Sequence, residues 1–98
     1  MSFPYVPSAT VEVPEIAYKP TLTLPAAKSA VIVVDMQNDF VTEGGKLVVP
    51  AAAATVSNIQ DLLAKARAAG VHVAYTQDTH FEGDPEWQIW PEHCRAGT

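Results

Sequence analysis

The sequence has one cysteine in 98 residues, so it can form no internal disulfide. That fits a reducing compartment, and a cytoplasmic location is expected. It has no basic cluster: 6 Lys and Arg stand against 11 Asp and Glu, a formal net charge of −5. Nucleic acid and anionic membrane surfaces are therefore poor partners. It has no long apolar run. The longest, Ala30–Val34, falls far short of the roughly 20 residues that a membrane helix needs. The first residues lack a basic stretch followed by an apolar one, so no signal peptide is expected.

Glycine is missing from residues 1–28, which hold Pro4, Pro7, Pro14, Pro20 and Pro25. This composition reads as an extended N-terminal arm, wrapped on the domain or on a neighbouring subunit, or as a loosely ordered tail. Val11-Glu12-Val13 and Thr21-Leu22-Thr23-Leu24 alternate, which allows short edge pairings.

Residues 29–98 read differently. Ala30–Met36 is nearly all apolar and rich in valine, as a parallel strand is when both faces are covered. Glu43-Gly44-Gly45 marks a loop, and Pro50 suits a first helical turn. Ala51–Ala69 is strongly helix-forming, with Val56, Ile59, Leu63 and Ala66 at helical spacing as the buried stripe. Lys65, Arg67 and Gly70 suit its C-terminal end. Val71–Thr76 is a second β-branched segment, so residues 29–98 contain a βαβ unit. Two buried parallel strands and one helix do not complete a domain. The expected fold is α/β: the βαβ portion of a three-layer α/β/α fold with a parallel sheet. Further strands and helices are expected from a missing segment or a partner chain.

The chemistry-bearing residues lie where these strands end. Asp35 closes the first apolar run, where α/β proteins place ligands, and suits a general base or an ordinary loop carboxylate. Asp78 and His80 are two apart; a strand continued through them would put both side chains on one face. His93 returns as a third donor. One carboxylate and two imidazoles suit zinc, iron or manganese and leave coordination positions open, although each histidine taken alone is as readily a surface or hydrogen-bonded residue. His72 lies within a strand and reads as solvent-facing or as a hydrogen-bonded histidine. Phe40, Trp87 and Trp90 can line a pocket or pack as ordinary aromatics. Cys94 follows His93 directly, and neighbours on an extended segment point apart, so it reads as a packed thiol.

Four segments then carry a resemblance. Asp35-Met36-Gln37-Asn38-Asp39-Phe40, Gly44-Gly45-Lys46-Leu47, Thr76-Gln77-Asp78-Thr79-His80-Phe81 and Trp90-Pro91-Glu92-His93-Cys94-Arg95-Ala96-Gly97-Thr98 resemble, in that order, the isochorismatase-like cysteine hydrolases. The branch they most resemble is nicotinamidase/pyrazinamidase. The resemblance implies an amidohydrolase that turns an amide into an acid and ammonia through a cysteine thioester. Asp35 would be its general base. Asp78, His80 and His93 would hold a divalent metal, zinc before iron or manganese. Phe40, Trp90 and Gln37 would contact or order a small-molecule amide substrate. Relatives acting on ureidoacrylate or other carbamoyl amides are the alternative, as is a non-catalytic subunit of the same fold. In this family the triad lysine and nucleophilic cysteine follow the last segment. Cys94 and the lysines at 19, 28, 46 and 65 do not match them. A remaining C-terminal segment or a second chain is expected to supply both, within a homo-oligomer.

Overall fold

A computed structural model describes residues 4–5 and 7–98. Residues 1–3 and 6 of the expected arm lie outside the described residues.

Strand β1 spans Ala30–Val34 and β2 spans His72–Thr76. They pair in parallel, with Ala30 opposite His72 and Val34 opposite Thr76. The expected first strand ran on to Met36. It stops at Val34 because Asp35 takes a left-handed backbone with φ 52°, a conformation aspartate tolerates better than most residues. The Gln37 N–H then donates to the Asp35 carbonyl at 2.9 Å, which turns the chain sharply. A single helical turn follows, α1, Asn38–Val41.

Helix α2 runs Val56–Ala68, preceded by a 3-10 turn at Ala53–Thr55. The expected helix began at Ala51. The Thr55 hydroxyl donates to the Ala52 carbonyl at 2.7 Å, a local bond that competes with regular helix geometry. The end follows the expectation. Gly70 sits at φ 73°, its N–H reaches Arg67 O, and the Val71 N–H reaches Ala66 O. That pair of bonds is a Schellman cap, which satisfies carbonyls the helix would leave bare.

Within α2 only Val56, Ile59, Leu63 and Ala66 are withdrawn from solvent, the four residues of the expected stripe. They face the sheet side carrying Val33, and Leu63 and Ala66 are buried with it. Val33, Val56, Ile59, Leu63 and Tyr75 line a cavity of about 220 Å³ between helix and sheet. The other sheet face is open: Ile32 is 60% and Val34 62% exposed. Coverage of both faces is therefore not seen among the described residues.

From Pro7 to Pro25 the chain is exposed and forms no regular element. The alternating segments at 11–13 and 21–24 make no ladder. Prolines at 7, 14, 20 and 25 fix φ and remove donors that a ladder would need. Among the described residues no helix is long and apolar enough to cross a membrane.

Candidate metal centre at the strand ends

Both strands deliver their carboxyl ends to one region, and the loops beyond them build the site. Asp35 immediately follows β1. The Thr76 hydroxyl at the end of β2 donates to Asp35 Oδ1 at 2.6 Å. In return the Asp35 N–H points at Thr76 Oγ1, at 3.1 Å.

Asp78 does not lie on a continued strand; β2 has ended two residues earlier. The Gln37 amide holds it instead. Gln37 Nε2 donates to the Asp78 carbonyl at 2.8 Å, and the Asp78 N–H donates to Gln37 Oε1 at 2.8 Å. The side chain expected to contact or order substrate is thus committed at both polar ends to positioning Asp78.

His80 is held by an isolated parallel bridge. Its N–H donates to Cys94 O at 2.9 Å, and the Ala96 N–H donates to His80 O at 2.8 Å. The bridge lays the segment carrying His93 beside the one carrying His80. Both imidazoles are buried, at 6% and 2% exposure, with ring centroids 4.7 Å apart. Asp39 anchors the same segment: its Oδ2 accepts the Cys94 N–H at 2.7 Å.

Asp78, His80 and His93 therefore converge, with one donor atom from each lying within 4.8 Å of the others. Asp78 Oδ2 is 3.0 Å from His80 Nε2 and 3.5 Å from His93 Nε2. His93 Nδ1 lies 2.7 Å from the Pro91 carbonyl, which can only accept, so Nδ1 carries the hydrogen. In the neutral ring this leaves the Nε2 lone pair facing Asp78. His80 Nδ1 faces Asp84 Oδ2 at 2.9 Å, so its Nε2 also points inward. Imidazoles presented through one nitrogen and held by a hydrogen bond at the other match the way metals are held by histidine. The donor set fits a divalent cation. The hydrogen bond to Asp84 raises the His80 pKa above its ordinary value, burial opposes it, and Asp78 and Glu86 add to the rise. Binding a cation there would displace that proton.

Sequence reasoning missed two carboxylates here. Asp84 caps a 3-10 turn, Pro85–Gln88, and the turn carries Glu86 to 3.4 Å from His80 Nε2 and 4.0 Å from His93 Nε2. The signal available was Asp84-Pro85-Glu86, an acceptor followed by proline at the start of a helical turn. Asp39 was missed too, since nothing local shows that it reaches Cys94.

The aromatics divide. The Phe40 ring lies 5.8 Å from that of His93. Trp87 supports the site from behind: its Nε1–H donates to His93 O at 3.2 Å, and Arg95 Cζ lies 4.8 Å from its ring centroid. Trp90 is 52% exposed. His72 is exposed, as expected. Cys94 is buried at 4% exposure, and burial pushes its thiol above the ordinary value.

The chain is thus a parallel α/β unit with a carboxylate just after one strand and an Asp-His-His cluster beyond the next. The comparisons make this specific. The isochorismatase domain model matches residues 29–98, and the chain belongs to the isochorismatase family. It is 46% identical over 76 residues to the nicotinamidase/pyrazinamidase of Mycobacterium tuberculosis, covering 70% of this chain and 40% of that protein. It is 45% identical over 79 residues to the ureidoacrylate amidohydrolase RutB of Agrobacterium fabrum, covering 67% of this chain and 35% of that one. A crystal structure of pyrazinamidase/nicotinamidase from Streptococcus mutans superposes with TM-score 0.66 at 36% identity, over 72% of this chain and 41% of that one. The chain thus spans well under half the length of the relatives it matches.

Proposed function

We propose that this chain supplies the general base and the metal site of a cysteine-type amidohydrolase acting on a small amide, with nicotinamide as substrate. The observation that carries this reading is the convergence of Asp78, His80 and His93 on one point, beyond the strand that adjoins Asp35. Support comes from the nicotinamidase/pyrazinamidase relatives in both sequence and structure.

Asp35 takes the proton of a nucleophilic thiol, which the rest of the enzyme contributes together with a lysine. The thiolate attacks the amide carbonyl, and the proton taken by Asp35 passes to the leaving nitrogen so that ammonia departs. The freed Asp35 carboxylate activates the water that hydrolyses the thioester, the proton returning to the thiolate. Asp78, His80 and His93 would hold a divalent metal, with Glu86 beside the two imidazoles. Zinc suits the set first, iron or manganese next. The metal supplies an electrophilic anchor that orients the substrate. Phe40 and Trp90 flank the substrate ring. Gln37 fixes Asp78 and through it the geometry of the centre. The chain works in the cytoplasm within a homo-oligomer, in salvage of nicotinamide for NAD, and its catalytic domain begins at residue 29.

Ureidoacrylate is the second reading, favoured by the 45% identity to RutB. One experiment decides between them. The native protein is purified, its mass and metal content are measured, and ammonia release is followed from nicotinamide and from ureidoacrylate. Faster release from nicotinamide supports the first reading, and the reverse order supports the second. A metal-loaded native protein that hydrolyses neither sinks both.

A further inference from the structure

We propose that Asp84 is the positioning residue of the metal centre, with one carboxylate serving two donors at once. The inference rests on reading Asp78, His80 and His93 as a metal site. Asp84 Oδ2 lies 2.9 Å from His80 Nδ1, which holds the ring so that Nε2 faces Asp78. Asp84 Oδ1 accepts the Glu86 N–H at 2.9 Å, which starts the turn that brings the Glu86 carboxylate within 3.4 Å of that same Nε2. Asp84 is only half-buried, yet the histidine it holds is among the most buried groups in the chain. The Asp84 N–H donates to Phe81 O at 3.1 Å, so the carboxylate is tied to the backbone one residue after His80. The four-residue step from His80 to Asp84 thus closes a loop in which ligand, support and the Glu86 carboxylate share one side chain.

The chemistry of the carboxylate makes this specific. Ionised, it offers two acceptors, and both are in use. Asparagine is isosteric but has one acceptor, so it can serve the imidazole or the turn and not both. Serine caps a helical turn about as well as aspartate, but its hydroxyl is too short to hold His80 as well. If Asp84 were only a cap, serine would replace it.

The test is run on the native full-length protein and its Asp84→Asn and Asp84→Ser variants. Zinc affinity is measured by competition with a chromogenic chelator, and the His80 Nδ1–H is followed by NMR of the zinc-loaded protein. Both variants are expected to bind zinc roughly 10- to 100-fold more weakly, the cost of losing a histidine's outer partner. In the zinc-loaded wild type the His80 Nδ1–H is expected as a downfield, slowly exchanging proton hydrogen-bonded to Asp84, and Asp84→Ser is expected to lose it. Wild-type zinc affinity in Asp84→Ser overturns the proposal alone. So does an unchanged His80 Nδ1–H resonance in that variant. A wild-type protein that takes up no zinc, iron or manganese overturns the metal reading, and the proposal with it.

Discussion

The Thr76 hydroxyl and the Asp35 carboxylate face each other across the ends of the two strands, 2.6 Å apart. Thr76 lies opposite Val34 in the ladder, so the residue after β1 meets the last residue of β2 by register alone. The bond reaches across the point where the chain turns through the left-handed conformation of Asp35. A carboxylate placed this way is oriented by the sheet and not by a flexible loop. If Asp35 is the base, as proposed above, Asp35→Asn keeps the shape and removes it. In the complete enzyme it is expected to lower ammonia release at least about 100-fold, the usual scale for a general base, with metal content unchanged. Normal turnover in that variant would remove Asp35 from the mechanism. Thr76→Val should cost about 1 kcal/mol of stability through the lost hydrogen bond, read from denaturant melts.

Cys94 is the lone thiol of the chain, and it sits next to His93 without the character of a nucleophile. It is 4% exposed, its N–H is held by Asp39, and burial raises its thiol, with Asp78, Asp39 and Asp35 adding to the rise. A thiol that stays protonated and covered reacts slowly. Iodoacetamide at neutral pH should therefore label Cys94 at least about tenfold more slowly in the folded protein than after denaturation, as followed by intact mass. Equal rates in the two states would contradict its burial.

What the sequence shows and hides here follows from how far each feature reaches along the chain. The helix stripe Val56-Ile59-Leu63-Ala66 and the Gly70 stop are local, and they appear as read. The Asp78 and His80 pair was visible as a spacing, but the geometric reason attached to it was wrong. The strand stops at Thr76, and the two meet through the Gln37 clamp and the His80–Arg95 bridge. Asp39 reaches Cys94 across 55 residues, a separation that no periodicity reports. Asp84 and Glu86 lie in a polar loop where composition alone gives no reason to prefer one acid over another.

Gly45 is required for a reason its neighbour Gly44 does not share. A Cβ on Gly45 would sit 2.6 Å from the backbone oxygens of Asn38 and Asp39, where the loop folds back on α1. Backbone atoms cannot swing aside as a side-chain end can. Gly45→Ala should cost roughly 2 kcal/mol or more, because the loop must move off the helical turn that carries Asp39. Gly44→Ala meets nothing within 4 Å and carries only its φ of 82°, so about 1 kcal/mol is expected. Urea midpoints of the two variants should rank in that order, and the reverse ranking would contradict the packing of the loop on α1.

Arg95 clamps the segments that carry His80 and His93 from outside. Its Nε donates to Glu92 Oε1 at 2.7 Å, one residue before His93, and its Nη1 donates to Glu82 Oε2 at 2.6 Å, two residues after His80. Lys46 reaches the same Glu92 oxygen at 3.3 Å. Together, with Arg95 the stronger, they hold the Glu92 carboxyl at about 2, below its ordinary 4.5. A carboxylate depressed on folding stabilises the fold above its unfolded value, and that contribution drains away as the pH falls towards the folded one. Glu92→Gln should therefore melt below wild type at pH 6–7, the gap should narrow below about pH 4.5, and it should close near pH 2. Both partners are partly exposed, so 1 M salt should shrink the gap as well. Arg95→Lys tests the same clamp from the other side. Lysine keeps the charge but has neither the fork for two carboxylates nor the flat face over Trp87, so it should recover only part of the gap. A pH-independent gap for Glu92→Gln, or full recovery by lysine, would mean that the clamp works by bulk charge and not by the forked geometry that joins His80 to His93.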